Sequence, residues 1–127
     1  MKRFVGWGSL LAFLGVALGA FGSHGLRDQL TPERLAVFET GVRYQLIHAL
    51  GLVLIGFASE RLKDRKRVIA AGWLLLAGVL LFSGSLYALV LSDTPALGAI
   101  TPIGGVAFLA GWGCLAWAAW KEPKASS

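Results

Sequence analysis

The chain has 127 residues, of which 56% are hydrophobic and only 15% are charged. Soluble domains carry about 25% charged residues, so this composition excludes an ordinary soluble protein and indicates one that resides in lipid. The formal charge of +5 does not indicate a nucleic-acid partner, because five of the twelve basic residues lie in one short segment, 61–67.

Four long stretches hold no Asp, Glu, Lys or Arg, namely 4–26, 44–59, 68–92 and 94–120. Stretches of this length and composition are typical of bilayer-spanning helices. We therefore predict an all-α membrane protein, with four transmembrane helices in a small bundle at about 4–22, 44–60, 68–91 and 102–120. Together they would form a single integral membrane domain over 1–127, surrounded by the lipid bilayer.

The first helix, 4–22, is about 28 Å long at ~1.5 Å per residue, which is enough to cross the hydrocarbon core. Its start, with Lys2 and Arg3 before an apolar run, imitates a secretory signal peptide with a cleavage region near 18–20. We expect an uncleaved helix, because the segment carries a stripe of small residues that a signal peptide does not need. A turn at 23–28 is predicted to end it.

Residues 31–33, Thr-Pro-Glu, are a helix-start signal: a side-chain cap, a proline in the first turn and an acidic residue near the amino end. They open an amphipathic helix at about 32–43. Its apolar face holds Leu35, Phe38 and Val42. This helix either lies on the membrane surface before the second transmembrane helix or is continuous with it. Since 44–58 is short for a complete span, we expect a continuous helix.

Basic residues are concentrated on one side of the predicted bundle. Nine would lie there: Lys2, Arg3, Arg61, Lys63, Arg65, Lys66, Arg67, Lys121 and Lys124. The other side would hold only Arg27, Arg34 and Arg43. The positive-inside rule then predicts a multi-pass protein of the cytoplasmic (inner) membrane with both termini in the cytoplasm.

Small residues recur at steps of three and four along two helices, which predicts close helix packing in lipid. The first helix has Gly8, Ala12, Gly15, Gly19 and Gly22. The fourth has Gly104, Ala107, Gly111, Cys114 and Ala118, and the third has a sparser set, Ala71, Gly78 and Ser85. The single cysteine is interpreted as a small core residue of this stripe.

The polar residues of the apolar segments gather on the side opposite the basic residues. This polar cluster comprises His24, Tyr44, Gln45, His48, Ser83, Ser85, Tyr87 and Thr101. A polar group inside a bilayer is costly, so the cluster is the candidate functional site. Thr101, directly before a proline, is also expected to cap the fourth helix.

The chemistry of the polar cluster leaves several roles open. His24 and His48 could bind haem iron or a metal ion, and the Tyr-Gln-His group could hydrogen-bond a quinone or a lipid headgroup. The plain alternative is internal bonding, with His48 donating to a serine or to a carbonyl near Gly84 and fixing the second helix against the third. Ser83 or Ser85 with His48 would be the pair for nucleophilic catalysis, but the sequence carries no hydrolase, kinase, oxidoreductase or metal-protease motif.

Four ordered blocks of the sequence resemble a known family. They are Gly-Ala-Phe-Gly-Ser-His-Gly-Leu at 19–26, Tyr-Gln-Leu-Ile-His-Ala-Leu at 44–50, Phe-Ser-Gly-Ser-Leu-Tyr at 82–87 and Ile-Thr-Pro-Ile-Gly-Gly at 100–105. On these blocks the chain resembles the YgdD/YwdK-like family of small bacterial inner-membrane proteins, which has a mitochondrial transmembrane relative. Ser23 stands where that family usually has alanine. The family is a domain of unknown function, so the resemblance implies a fold and a location but no activity.

The sequence therefore predicts a non-enzymatic membrane protein, an accessory or membrane-stabilising factor whose polar cluster binds a lipid or a protein partner or locks the bundle. No metal or cofactor is expected. One alternative is a haem- or quinone-binding subunit that uses His24 and His48. Another is a small transporter or channel subunit, which would need homo-oligomers because four short helices enclose little lumen.

Overall fold

A computed structural model of the chain describes residues 2–123. It contains four helices that are long and apolar enough to cross a membrane: Lys2–Leu26, Pro32–Arg61, Arg65–Ser92 and Pro95–Trp120. We term them the first to fourth spans. The predicted fold class, an all-α membrane protein with four transmembrane helices, is confirmed. Lys124, which we assigned to the basic side, lies outside the described residues, and the single domain over 1–127 stays a prediction.

Three of the spans combine more than one helix type. In chain order the elements are α1 (Lys2–Phe21), a π-helical turn (Gly22–Leu26), α2 (Pro32–Arg61), α3 (Arg65–Gly78), a second π-helical turn (Val79–Ser83), α4 (Gly84–Ser92), a 3₁₀ turn (Pro95–Ala99) and α5 (Thr101–Trp120). Each π-helical turn holds a residue of the predicted polar cluster, His24 in the first and Ser83 in the second. Turns of this kind widen a helix locally and often occur at functional positions.

The first span is helical for longer than predicted. We expected a turn at 23–28, but the helix continues to Leu26 as the first π-helical turn. Gly22 at its start is buried, and a Cβ placed there would lie 2.7 Å from the Phe38 ring of α2. Packing on α2 stabilises the helical form of this segment. It outweighs the local preference of the glycines and the serine for a turn.

The second span is one uninterrupted helix of 30 residues, Pro32–Arg61. Thr31 caps it as predicted, because its hydroxyl accepts from the backbone N–H of Arg34 at 3.2 Å. Of the two arrangements considered for the amphipathic helix, the continuous one is correct. At ~1.5 Å per residue this helix is about 45 Å long, so one of its ends extends beyond a hydrocarbon core of about 30 Å.

The helix start at Thr101 differs from the prediction. Thr101 is the first residue of α5, and within residues 2–123 no side-chain hydrogen bond caps that helix. Its hydroxyl lies 2.5 Å from the Ser85 hydroxyl instead. The expectation of a threonine cap was therefore wrong, because the chain is already helical at Ile100 (φ −79°, ψ −31°) and Thr101 lies one residue past the cap position.

Asp64 caps the third span. Its carboxylate accepts from the guanidinium of Arg67 at 2.6 Å and from the backbone N–H of Arg67 at 3.3 Å. The guanidinium hydrogen bond is the main reason that the pKa of Asp64 lies below its usual range. The carboxylate therefore stays charged at the amino end of the helix, where the helix dipole favours a negative charge.

Glycines allow the spans to approach closely. The first span packs on the second, the second on the third, and the third on the fourth. A Cβ placed on Gly8 would lie 2.6 Å from the carbonyl oxygen of Ala49, and one on Gly104 would overlap the backbone nitrogen of Phe82. Real Cβ atoms do not approach so closely, so the predicted small-residue stripes form genuine helix interfaces.

Large apolar side chains fill the centre and cover the outside of the bundle. Phe4, Leu52, Ile55, Leu75 and Phe108 are buried between the spans. Phe13, Val16, Val106 and Leu109 are each more than 60% exposed. An apolar outer surface around an apolar core is the arrangement that a bilayer requires, since lipid rather than water surrounds the helices.

One end of the bundle collects the basic residues. In the connection between the second and third spans, the backbone N–H of Lys63 donates to Glu122 at 2.9 Å, just beyond the fourth span. The cations of Lys121 and Arg67 lie 4.9 and 5.9 Å from the ring centre of Trp117. The end of the second span, the start of the third and the end of the fourth are thus held together by polar contacts at this end.

Candidate functional site

Gln45 joins the first three spans. Its side chain is only 3% exposed. The amide nitrogen donates to the carbonyl oxygen of Leu11 at 2.8 Å, and the amide oxygen accepts from the hydroxyl of Tyr87 at 2.7 Å. Both halves of the amide are therefore bonded inside the bundle, where an unpaired polar group would be costly.

Two serines tie the third span to its neighbours. Ser83 donates to the carbonyl oxygen of Gly41 on the second span at 2.7 Å. Ser85 donates to the carbonyl oxygen of Phe82 at 2.9 Å, and its oxygen lies 2.5 Å from the Thr101 hydroxyl. Because Ser85 has one hydroxyl hydrogen, Thr101 donates the bond between them. These bonds connect the second, third and fourth spans at one level.

His48 is held between two hydrogen-bond partners. Its Nε2 lies 3.0 Å from Nε1 of Trp112, and its Nδ1 lies 2.8 Å from the carbonyl oxygen of Tyr44. An indole N–H only donates and a carbonyl only accepts, so Nε2 accepts and Nδ1 carries the hydrogen. The geometry therefore assigns neutral His48 with its proton on Nδ1. One alternative left open by the sequence was a bond from His48 to the third span; the bond to another helix goes to the fourth span instead.

Aromatic rings surround His48. Its ring stacks on Phe108 with 3.6 Å between centroids and 11° between planes. The ring of Tyr44 lies 4.6 Å from that of Phe82 and 6.0 Å from that of His48. The second, third and fourth spans therefore share one aromatic layer next to the hydrogen-bonded polar cluster.

A groove of about 660 Å³ opens beside this layer. It is lined by Arg43, Tyr44, Ile47, His48, Phe82, Pro102, Gly105, Val106, Phe108, Leu109 and Trp112. The volume lies within the range of small-molecule sites, about 300–1,000 Å³. Val106 and Leu109 line it and are also exposed on the outer surface, so the groove is open toward lipid. We refer to it as the aromatic groove.

Among the described residues, Arg43 is the one cationic residue in the lining of the aromatic groove. It is exposed, and its guanidinium makes no ion pair or hydrogen bond with residues 2–123. Glu39, one helical turn away, is not paired with it. The groove therefore combines a cation without an ion-pair partner, the Arg43 guanidinium, with an apolar wall.

His24 stands apart from the other members of the polar cluster. It is exposed on the first π-helical turn and forms no hydrogen bond with the described part of the chain. His48 lies within the hydrogen-bonded group and has both ring nitrogens engaged. A haem iron needs a free nitrogen lone pair on each histidine, and Nε2 of His48 accepts the hydrogen of Trp112. The described geometry therefore does not fit a haem between these two histidines.

The comparisons with known proteins agree with the resemblance seen in the sequence. Residues 18–105 match the family model described as "Protein of unknown function (DUF423)". The chain belongs to the DUF423 family. It is 49% identical over 112 residues to the UPF0382 membrane protein YwdK of Bacillus subtilis (strain 168), covering 88% of this chain and 91% of the relative. A UPF0382 membrane protein of Staphylococcus haemolyticus (strain JCSC1435) is 49% identical, with 88% and 90% covered. No solved structure matches the chain.

The DUF423 match covers the whole predicted polar cluster but only part of the aromatic groove. His24 and Thr101 are the first and last cluster residues, and both lie within 18–105. Phe108 and Trp112, which hold His48 from the fourth span, lie beyond the matched residues. The family assignment therefore identifies a membrane protein but assigns no role to the groove, which has to be inferred from its geometry. The prediction that the polar cluster is a binding site stays a prediction.

Two contacts between spans of this DUF423 member, made by Trp112 and by Arg34, were not predicted from the sequence. Trp112 lies in the middle of the fourth span, and an indole N–H at that depth needs an acceptor. Arg34 donates to the carbonyl oxygen of Val90, and its Nε lies 3.9 Å from the carboxylate of Asp93. Only the depth of Trp112 was a signal in the sequence, because the contact of Arg34 depends on which spans are neighbours.

Proposed function

We propose that the protein is a non-enzymatic accessory protein of the cytoplasmic membrane that holds a lipid molecule in the aromatic groove. The observation that carries this proposal is the groove itself, which is apolar, of ligand size and open toward the bilayer. In that position lipids are the molecules present at the highest concentration. The hydrogen bonds of the polar cluster would hold the second, third and fourth spans, which form the walls of the groove, in fixed positions.

The internal hydrogen bonds support the locking role. Gln45, Ser83 and His48 each bond to a neighbouring span. Such bonds contribute about 0.6–2 kcal/mol each in membrane proteins, so together they fix the positions of the groove walls. The same bonds support a non-enzymatic role, because the hydroxyl hydrogens of Ser83 and Ser85 go to carbonyl oxygens rather than to His48.

We also propose that both termini lie in the cytoplasm. The end of the bundle that holds Lys63, Arg67 and Lys121 would face the cytoplasm by the positive-inside rule. The aromatic groove, whose lining residue Arg43 precedes Glu60 by 17 residues in the second span, would then open to the outer leaflet.

Native mass spectrometry of the full chain, extracted from its membranes in mild detergent, tests the lipid proposal. Wild type is expected to retain one lipid molecule. Val106→Trp fills the groove and should lower the retained fraction by about tenfold, the effect of losing about 1.4 kcal/mol of binding. Val16→Trp is the matched control, because Val16 is 64% exposed against 65% for Val106 and does not line the groove. Equal retention in the two variants would contradict the proposal.

A quinone is the second candidate occupant. Tyr44 lines the groove, and its hydroxyl has no hydrogen-bond partner within the described residues, so it is the candidate donor to a quinone carbonyl. The mass spectrum distinguishes the two, since a quinone and a phospholipid add different masses. A bound quinone that is lost in Tyr44→Phe would replace the lipid proposal. A second protein copy in the groove would appear as a dimer in the same spectrum.

A further inference from the structure

We propose that the aromatic groove selects one anionic glycerophospholipid, with the phosphate against Arg43 and an acyl chain along the apolar wall. This inference rests on the proposed lipid-binding function and adds the class of headgroup. It follows from three features of the groove: the depth of Arg43, the charges around it and the free hydrogen-bond donor beside it.

Arg43 lies at the depth of lipid phosphates. It precedes Glu60, at the other end of the same helix, by 17 residues. At ~1.5 Å per residue these two charges are about 26 Å apart along the helix axis, close to the thickness of the hydrocarbon core, about 30 Å. With Glu60 at one interface, Arg43 is therefore at the opposite one, where phosphate groups are found.

The charge in the lining of the groove is positive. Within residues 2–123, Arg43 is the one charged residue of the lining; Glu39, one helical turn away, does not line the groove and is not paired with Arg43. Within residues 2–123 its guanidinium has no ion-pair partner. A guanidinium binds phosphate oxygens through paired N–H donors. An anionic headgroup satisfies this charge, whereas the choline cation of a zwitterionic lipid would bring a second positive charge next to Arg43.

The wall beyond Arg43 suits an acyl chain. Ile47, Val106 and Leu109 line the groove and are 48%, 65% and 75% exposed, so they offer continuous apolar surface to the lipid. Tyr44, next to Arg43, adds a hydroxyl that has no hydrogen-bond partner within residues 2–123 and can act as a second donor for a phosphate or glycerol oxygen. Cation, donor and apolar wall therefore follow the order of groups in a phospholipid: phosphate, glycerol, acyl chain.

Titration of the full-length protein in detergent with dioleoyl phosphatidylglycerol or dioleoyl phosphatidylcholine, followed by native mass spectrometry, tests the headgroup. Wild type should bind phosphatidylglycerol about fivefold more tightly than phosphatidylcholine, the effect of one basic residue near an anionic lipid. Arg43→Gln should weaken phosphatidylglycerol binding more than phosphatidylcholine binding and so remove this preference, and Arg43→Lys should retain most of it. Arg27→Gln is the control, because it removes the same charge from an exposed residue that does not line the groove.

The outcomes separate this inference from the proposed function. If wild type binds both lipids equally, or if Arg43→Gln and Arg27→Gln behave alike, headgroup selection is wrong while lipid binding in the groove stands. If Val106→Trp binds both lipids as wild type does, the groove is not the site and both proposals fail. Unchanged thermal unfolding of the Arg43 variants shows that any loss of binding is not a loss of folding.

Discussion

His48 illustrates how one side chain connects the polar and aromatic parts of this protein. Its Nδ1–H bonds to a carbonyl of its own helix, its Nε2 accepts from Trp112, and its ring lies on Phe108. A histidine fixed in this way is a structural hydrogen-bonding group with a defined tautomer. The exposed His24 makes no comparable contact in the described chain. The two histidines that looked equivalent in the sequence therefore have different environments.

Trp112→Phe is expected to lower the free energy of unfolding by about 1 kcal/mol, because His48 loses its interhelical donor while most of the ring surface remains. Unfolding by sodium dodecyl sulfate in mixed micelles, followed by circular dichroism, measures this change. Trp7→Phe is the control, since Trp7 is an exposed residue of the first span with no described hydrogen bond.

The same tryptophan substitution in a His48→Phe background should cost clearly less than in wild type, because the bond is already absent. Equal costs in the two backgrounds would show that the Trp112–His48 bond contributes nothing to stability.

At the scale of the helices, close approach at glycines determines how the spans pack. Gly8 and Gly104 face backbone atoms of the neighbouring span, so the contact cannot be relieved by a side-chain rotation. Gly15 faces the flexible side chain of Leu46 instead, with 2.7 Å between a placed Cβ and Cδ2. The positions in one stripe therefore differ in their tolerance to substitution, although their spacing in the sequence is regular.

Gly8→Ala is expected to destabilise the bundle by about 1–3 kcal/mol, the usual cost of overpacking. Gly6→Ala on the same helix is the matched control, because a Cβ at Gly6 has no atom within 4 Å and its stability should change by less than about 0.5 kcal/mol. On the fourth span, Gly104→Ala is the corresponding test and Gly113→Ala is its matched control. Detergent unfolding midpoints that do not differ within either pair would refute the packing described for these interfaces.

The elements were more predictable than the contacts between them. The uncharged stretches were sufficient to predict the four spans, because a long apolar segment that crosses a bilayer has to satisfy its backbone hydrogen bonds internally, as a helix does. The capped start at Thr31 and the short 44–58 segment predicted the continuous second helix. The π-helical turn at Gly22–Leu26 was missed because packing on Phe38, far along the chain, stabilises it. The cap expected at Thr101 was wrong because a 3₁₀ turn, Pro95–Ala99, precedes the helix and Ile100 is already helical, so Thr101 is not at the cap position.

At the scale of the whole molecule, the protein has a basic end, a packed apolar centre and a groove toward the opposite end. The sequence indicated the level of the polar cluster, and seven of its eight members make contacts between or within the spans in three groups. Gln45 bonds to Leu11 and Tyr87, and Ser83 bonds to Gly41. The third group joins Tyr44, His48, Ser85 and Thr101 through Phe82 and Phe108. The groove could not be predicted, because its walls come from three spans and depend on how closely they pack.

Cysteine labelling tests the proposed orientation. In a Cys114→Ala background, Lys63→Cys should not react with a membrane-impermeant maleimide in intact cells, and Gln29→Cys should react. Both should react after the membrane is permeabilised, which controls for accessibility. The reverse pattern in intact cells would place the termini outside and the aromatic groove in the inner leaflet.

Photolabelling tests the central claim, that the aromatic groove holds a lipid, most directly. The protein is reconstituted with phosphatidylglycerol that carries a diazirine on its acyl chain, irradiated and analysed by peptide mass spectrometry. We expect labelling at Ile47, Val106 and Leu109 to exceed that at Phe13 and Val16, which are similarly exposed but do not line the groove. Added unlabelled phosphatidylglycerol should lower the labelling of Ile47, Val106 and Leu109 to the level found at Phe13 and Val16. Uniform labelling of all five residues would contradict the account, because it would mean that the lipid contacts the bundle without occupying the groove.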